Sequence, residues 1–318
     1  MVTPDADASR PRVPDRAPLA GQRWLVLAPH PDDETIASAG LLLRARAAGA
    51  SVHVALLTDG GGNPWPQRWL ERRWRLDAAA RARWARRRRE ECRAALRVLG
   101  LDPDRDLTAF GWDDGRLTAA FCEAPDAFPA PLRALLAAFA PTDVVVPAAD
   151  DRHPDHAVCP VMLALALPES AVGPRLHAYR VHGRSRGDSF VLALGPEELA
   201  RKRAALACHA TQLALSGRRF AALAGATERY DADPFGTALS RATGWPRALE
   251  ATFEALQGEW RWRVVHRDGA GRTSVRTLPG RAADPFSSPD AIFTKLEAGR
   301  RGPWIYDSHG WRRAGRVR

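Results

Sequence analysis

Short apolar runs alternate with longer mixed segments along the first two-thirds of the chain. Trp24–Ala28 and Ser51–Thr58 read as buried strands, Leu107–Phe110 as a short third strand and Asp143–Pro147 as a fourth. Between them, Glu34–Ala48 reads as a helix stopped by Gly49, and Pro131–Ala140 as another. This alternation predicts an α/β fold: a Rossmann-like, doubly wound, mostly parallel sheet with helices on both faces and right-handed crossovers. With the strand order 3-2-1-4, strands one and four are neighbours at the switch point. The loops leaving their carboxyl ends then open into one crevice. Leu176–His182 and Ser189–Leu194 are further strand candidates, and Pro196 opens a helix predicted to reach about Leu215. Beyond Gly217 the pattern weakens, although Trp260–His266 followed by Asp268-Gly269 hints at a hairpin. The expected organisation is a disordered tail over 1–22, one domain over 23–215 and a C-terminal extension over 216–318.

Composition narrows the class. The chain has 318 residues, 45% of them hydrophobic, enough for a sizeable core. The N-terminal stretch is rich in Pro, Asp and Arg and has no apolar h-region, so it does not read as a secretory signal. No apolar run reaches membrane-spanning length. Cys92, Cys122, Cys159 and Cys208 form no CxxC pair, which predicts free thiols in a reducing compartment and a cytoplasmic protein. The net charge is +10, and every basic residue except Lys202 and Lys295 is arginine. Arg68–Arg97 holds twelve arginines against Glu71, Asp77, Glu90 and Glu91. Such a block can face nucleic acid, lipid headgroups or sugar phosphates, or be a solvated helix face in an arginine-biased chain. With Trp65, Trp69, Trp74 and Trp84 among the arginines, residues 63–87 read as an insertion or lid beside the crevice. A peripheral position at a membrane is compatible with that segment.

Candidate chemistry lies in two stretches, His30-Pro31-Asp32-Asp33-Glu34 and Arg152-His153-Pro154-Asp155-His156. Each follows an apolar run and joins imidazole to carboxylate beside a proline. Asp and Glu in a first helical turn suit the helix dipole, so Asp33 and Glu34 could simply cap a helix. Two such clusters at neighbouring strand ends instead supply a neutral-imidazole and carboxylate set suited to zinc, with a carboxylate left for base chemistry. Arg88 shares a helical stripe with Cys92, Ala95 and Leu99. A charge on that stripe must be paired or reach a polar pocket, and Glu91 is the nearby candidate partner.

The paired motifs resemble those of the PIG-L/LmbE-like zinc-dependent N-acetylglucosaminyl deacetylase family. Thr58-Asp59-Gly60, Arg88-x-x-Glu91, Asp113-Asp114-Gly115 and Lys202-x-x-Ala205-Leu206-x-x-His209-x-Thr211-Gln212 fall in the family's order, so the likeness spans residues 24 to 215. The resemblance implies His30, Asp33 and His156 as ligands of one divalent metal, zinc first, with iron or another divalent ion as the alternative. It implies Asp32 as general base, His153 as the group that stabilises the oxyanion or protonates the leaving amine, and Asp155 as the orienting carboxylate of one of the histidines. Arg88 and Asp114 are implied to grip substrate hydroxyls. Some members carry a tyrosine where this chain has Asp151, and Pro160 implies that the helix near Pro154 starts late or is kinked.

The expected activity is zinc-dependent removal of an N-acetyl group from a small amino-sugar substrate or its conjugate, phosphorylated and lipid-linked forms included. A zinc amidase on a non-sugar N-acyl group is the alternative. A basic nucleic-acid-binding protein on a relict fold is a third reading, disfavoured because every ligand, base and acid position is filled.

Overall fold

The computed structural model describes residues 18–124, 126–149, 151, 153–167, 173–183, 185, 187 and 189–234, and the strand backbones of 249–256, 259–267, 273–280, 304–307 and 310–313. The expected tail before residue 18, Arg152, and the side chain of Cys122 lie outside the described residues.

The chain runs β1 (Arg23–Ala28), α1 (Asp33–Ala47), β2 (Ser51–Thr58), α2 (Pro64–Glu71), α3 (Ala78–Val98) and β3 (Leu107–Trp112). It continues through α4 (Leu117–Glu123), α5 (Pro129–Phe139), β4 (Asp143–Pro147), α6 (Pro154–Ala166), β5 (Arg175–Tyr179), β6 (Phe190–Ala193), α7 (Pro196–Ala207), α8 (Ala210–Leu223) and β7 (Thr227–Tyr230). The first five strands form a parallel sheet in the order β3-β2-β1-β4-β5, which contains the expected 3-2-1-4. The fold is α/β and doubly wound. Because strand side chains alternate in direction, β1 sends Trp24, Val26 and Ala28 to one core and Leu25 and Leu27 to the other. Helices α1, α3 and α7 cover the first face; α4, α5 and α6 cover the second.

The expected reach of the helix opened by Pro196 is corrected. The helix opened by Pro196 ends at Ala207 and restarts at Ala210. His209, at φ −81° and ψ 54°, leaves the helix to bury its ring 3.3 Å from Glu34 on α1. Ser189–Leu194 gives β6, which lies outside the main sheet and pairs antiparallel with β7. Helix α6 starts at Pro154 rather than late and carries Pro160 inside it, with proline at the first helical position where a missing N–H costs nothing.

Behind the sheet, the buried Glu228 of β7 ties three segments together. Its carboxylate accepts from the Gly40 and Leu41 amides of α1 at 2.8 and 3.0 Å, from Lys202 Nζ of α7 at 2.7 Å and from Tyr230 Oη at 3.0 Å. A Cβ at Gly40 would overlap the Leu194 side chain, so helix and hairpin meet at glycine.

The later strands β8 (Leu249–Leu256), β9 (Glu259–Arg267), β10 (Thr273–Gly280), β11 (Trp304–Asp307) and β12 (Gly310–Arg313) form a second sheet, ordered β10-β9-β8-β11-β12. The hinted hairpin segment is β9, paired antiparallel with β10.

Candidate active site

Every strand of the parallel sheet delivers a polar group at its carboxyl end, as open α/β sheets do at their ligand crevices. The loop after β1 carries His30, Asp32 and Asp33; β2 leads to Gly60 and Gly62; β3 leads to Asp114; β4 leads to Asp151, His153, Asp155 and His156; and β5 leads to His182. Thr58 anchors the first loop by donating its hydroxyl to Pro29 O at 2.8 Å.

His30 Nδ1, Asp33 Oδ2 and His156 Nε2 form a near-equilateral triangle. The edges are 3.2 Å from His30 to Asp33, 3.2 Å from His30 to His156 and 3.1 Å from His156 to Asp33. Ligand–ligand edges in a tetrahedral zinc site with bonds of about 2.0–2.1 Å are roughly 3.3 Å. The donor set and its spacing therefore fit a divalent metal.

Each histidine has a carboxylate behind it. His30 Nε2 faces Asp114 Oδ1 at 3.2 Å and Asp155 Oδ2 at 3.3 Å. His156 Nδ1 lies 3.5 Å from Asp151 Oδ2. Backing of this kind directs the opposite ring nitrogen inward as a lone-pair donor. Those carboxylates are themselves fixed. Asp155 accepts from the Gly115 and Leu117 amides at 2.7 and 3.0 Å, Asp114 from Gly62 N–H at 2.8 Å, and Asp151 from the amides of His153, Val181 and His182 at 2.9 to 3.1 Å.

The charge balance points the same way. Burial alone would lower the His30 and His156 pKa values, yet neighbouring carboxylates outweigh it. Asp114, Asp155 and Asp33 hold His30 well above the usual imidazole range, and Asp33 and Asp151 push His156 up to about 9. Asp33 is held well below the usual carboxylate range because His156 and His30 outweigh its desolvation. Four carboxylates, Asp33, Asp114, Asp151 and Asp155, crowd two imidazoles here, an excess that a bound cation would neutralise.

Asp32 stands apart. Its backbone takes φ 142° with ψ −26°, a conformation that L residues rarely adopt. Burial, opposed by the Arg88 charge, pushes its carboxyl up to about 7. Arg88 is buried, and its guanidinium donates to Gly60 O and Pro31 O at 2.8 Å each and to Asp32 Oδ2 at 3.1 Å. Gly60 sits at φ +71°, and a Cβ there would lie 2.5 Å from Arg88 Nη1. Glu91 does not pair with Arg88 as expected: it accepts from Thr211 N–H and hydroxyl on α8 and faces Arg87 at 3.4 Å. Arg88 and Asp114 thus sit around Asp32 and His30, Asp114 being 3.6 Å from Arg88 Nη1.

His153 caps α6, its Nδ1 accepting the Asp155 amide at 3.2 Å. In the neutral ring the proton then sits on Nε2. Burial and the charges of His30 and His156 bring the His153 pKa down to about 4, so the ring is neutral near pH 7. It packs edge-on to His30, centroids 4.6 Å apart, and stacks on His182 at 5.6 Å. Sequence reasoning missed His182, which also lies 5.2 Å from His156, and gave Asp151 no histidine to serve. The only signal for His182 was its place as the last residue of the predicted strand Leu176–His182.

A search of curated proteins finds no match. Among solved structures, the conserved protein TT1542 from Thermus thermophilus is 25% identical, with 69% of this chain and 99% of that chain covered at a TM-score of 0.49. An N,N'-diacetylchitobiose deacetylase from Pyrococcus horikoshii is 17% identical, covering 67% and 84% at a TM-score of 0.51, and so shares the fold. A zinc-inhibited form of teicoplanin deacetylase Orf2 is 19% identical, covering 62% and 86% at 0.46. The family model for GlcNAc-PI de-N-acetylase, PIG-L, matches residues 25–167, the stretch that holds both His/Asp clusters and the four strands between which they converge. Over residues 25–167 this chain is similar to the PIG-L family.

Proposed function

We propose that the chain is a metal-dependent N-deacetylase that removes the acetyl group from an N-acetylated amino sugar or its conjugate, releasing acetate and an amine. The observation that carries this reading is the His30–Asp33–His156 triangle beside the strained, proton-accepting Asp32. His30, Asp33 and His156 would hold the metal, zinc being the first choice for two imidazoles and a carboxylate and iron or another divalent ion the alternative. When bound, the metal supplies Lewis acidity toward the amide carbonyl and acidity to a water.

The chain's own groups do the rest. Asp32 Oδ takes the proton of the attacking water, its pKa of about 7 matching general-base work near neutrality. Arg88 positions that carboxylate and balances its charge. His153, neutral and protonated on Nε2, donates toward the oxyanion as it develops. Asp155, Asp114 and Asp151 hold the ligand histidines in one tautomer and orientation. The amine leaves with the proton that Asp32 took from the water, while His153 keeps its own Nε2 proton as a hydrogen-bond donor.

The test is a zinc-reconstituted preparation offered free N-acetyl sugars, nucleotide-linked and phosphorylated N-acetyl sugars, N-acetyl glycolipids and non-sugar N-acyl amides, with detection of free amine and acetate. Turnover of at least one sugar arm supports the reading, and the arms identify the carrier. Turnover of the non-sugar amides alone makes the chain an amidase. No amine from any arm overturns the proposal.

A further inference from the structure

Among the described residues, six large apolar side chains are exposed, and four of them fall within ten positions: Trp65 at 58%, Trp69 at 66%, Leu70 at 40% and Trp74 at 78%. Trp65 and Trp69 are one helical turn apart on α2, so their indoles share a face. The helix ends at Arg72 in the left-handed region (φ 51°), and Arg73 N–H returns to Arg68 O at 3.1 Å. That turn presents Trp74 beside the helix end. Trp84, on the following helix, is buried at 1% and belongs to the core. The three exposed indoles are therefore not packing residues, and their clustering exceeds the scatter of single apolar residues on ordinary surfaces.

The charge between them has one sign. Arg68, Arg72, Arg73 and Arg75 interleave with the indoles, and the Arg68 guanidinium lies 5.0 Å over the Trp65 ring. The one acid in the stretch, Glu71, is engaged by Gln67 at 3.1 Å and Arg83 at 2.9 Å. Indoles settle at the level of lipid headgroups, where an apolar ring and a polar N–H are both accommodated. Guanidinium groups pair with phosphate through two parallel hydrogen bonds. Exposed Leu70 contributes nothing to phosphate recognition but adds to a face that enters a bilayer interface.

We infer that the end of α2 and the turn after it form a docking patch that seats this protein on an anionic lipid surface. The patch is tied to the site: α2 begins two residues after Gly62, whose N–H is bonded to Asp114. A chain resting on the patch would have the rim of its strand-end crevice near the bilayer.

The test is flotation of the full chain with vesicles of phosphatidylcholine alone and of phosphatidylcholine with phosphatidylglycerol, at low and high salt. The expected bound fraction is about tenfold higher on the anionic vesicles, falling as salt rises. Joint Trp65→Ser, Trp69→Ser and Trp74→Ser substitution is expected to cut binding about tenfold with circular dichroism and melting unchanged, because exposed side chains are removed. Joint Arg68→Gln, Arg72→Gln, Arg73→Gln and Arg75→Gln substitution is expected to erase the preference for anionic lipid. Equal recovery on both vesicle types, or wild-type binding by the tryptophan variant, overturns the inference. So does competition in which single-stranded DNA or RNA displaces vesicles and loses binding with the same tryptophan substitutions, since the patch would then be a nucleic-acid platform.

Discussion

Arg88 Nη2 reaches Asp32 Oδ2 at 3.1 Å and Pro31 O at 2.8 Å, so one buried guanidinium holds both the carboxylate and the backbone that carries it. Burial raises Asp32 and the Arg88 charge lowers it. Replacing Arg88 with Gln removes the lowering influence, so Asp32, the proposed base, stays protonated to higher pH. The acid limb of kcat/KM should therefore move to higher pH in Arg88→Gln and be partly restored in Arg88→Lys. An unmoved limb would separate Arg88 from the base.

Asp32→Asn keeps the shape of the side chain and the three metal-facing atoms but abolishes proton uptake. Metal content and melting temperature should stay near wild type while kcat falls on the order of a hundredfold or more. A variant with near-normal kcat would make Asp32 a loop-shaping residue only.

His30→Ala and His156→Ala remove corners of the triangle and should each abolish stoichiometric metal binding on elemental analysis of the purified protein. Asp151→Asn is subtler: it leaves all three corners and takes the charge from behind His156. Metal affinity should drop about 10–100-fold by competition with a chelator. Wild-type affinity in Asp151→Asn would show that the 3.5 Å approach has no influence on the ligand.

Both clusters and the strands that carry them were legible because they are local, as apolar runs of strand length followed within a few residues by His and Asp, whereas the 3-2-1-4 order was taken over from the common doubly wound arrangement. What escaped depended on partners distant in sequence. Arg88 was legible as a buried charge, but two of its acceptors are backbone carbonyls, Gly60 O and Pro31 O, which no residue type announces. Asp151 and His182 meet only because β4 pairs with β5, and Glu91 finds Thr211 120 positions away. The break at His209 ran against a periodic helix pattern because the buried Glu34 draws the ring inward.

Away from the site, Asp143 receives Arg175 in a two-point pair at 2.8 Å and His177 at 2.9 Å. Its own burial would raise its pKa, but His177 and Arg175 outweigh that and hold it well below the usual range. Such a group stabilises the fold fully above its unfolded pKa of about 3.9, and the contribution is lost as pH falls from there through the lower folded-state value. Asp143→Asn should cost about 2 kcal/mol near neutrality. The gap to wild type should narrow as pH drops from about 5 to 2, read by chemical denaturation at each pH. A gap independent of pH would assign the loss to packing.

Glu228 sits beyond both His/Asp clusters in sequence, yet its carboxylate grips the same helix that begins at Asp33. The orientation of α1, and with it the bearing of Asp32 and Asp33, is therefore set partly from residue 228. A fragment trimmed to the family-matched stretch 25–167 would leave the Gly40 and Leu41 amides without this acceptor and would lack Lys202 as well. Dissection of this protein into an autonomous folding unit has to place its cut after Asp231, whose amide and carbonyl exchange hydrogen bonds with Ala178 at the edge of the main sheet.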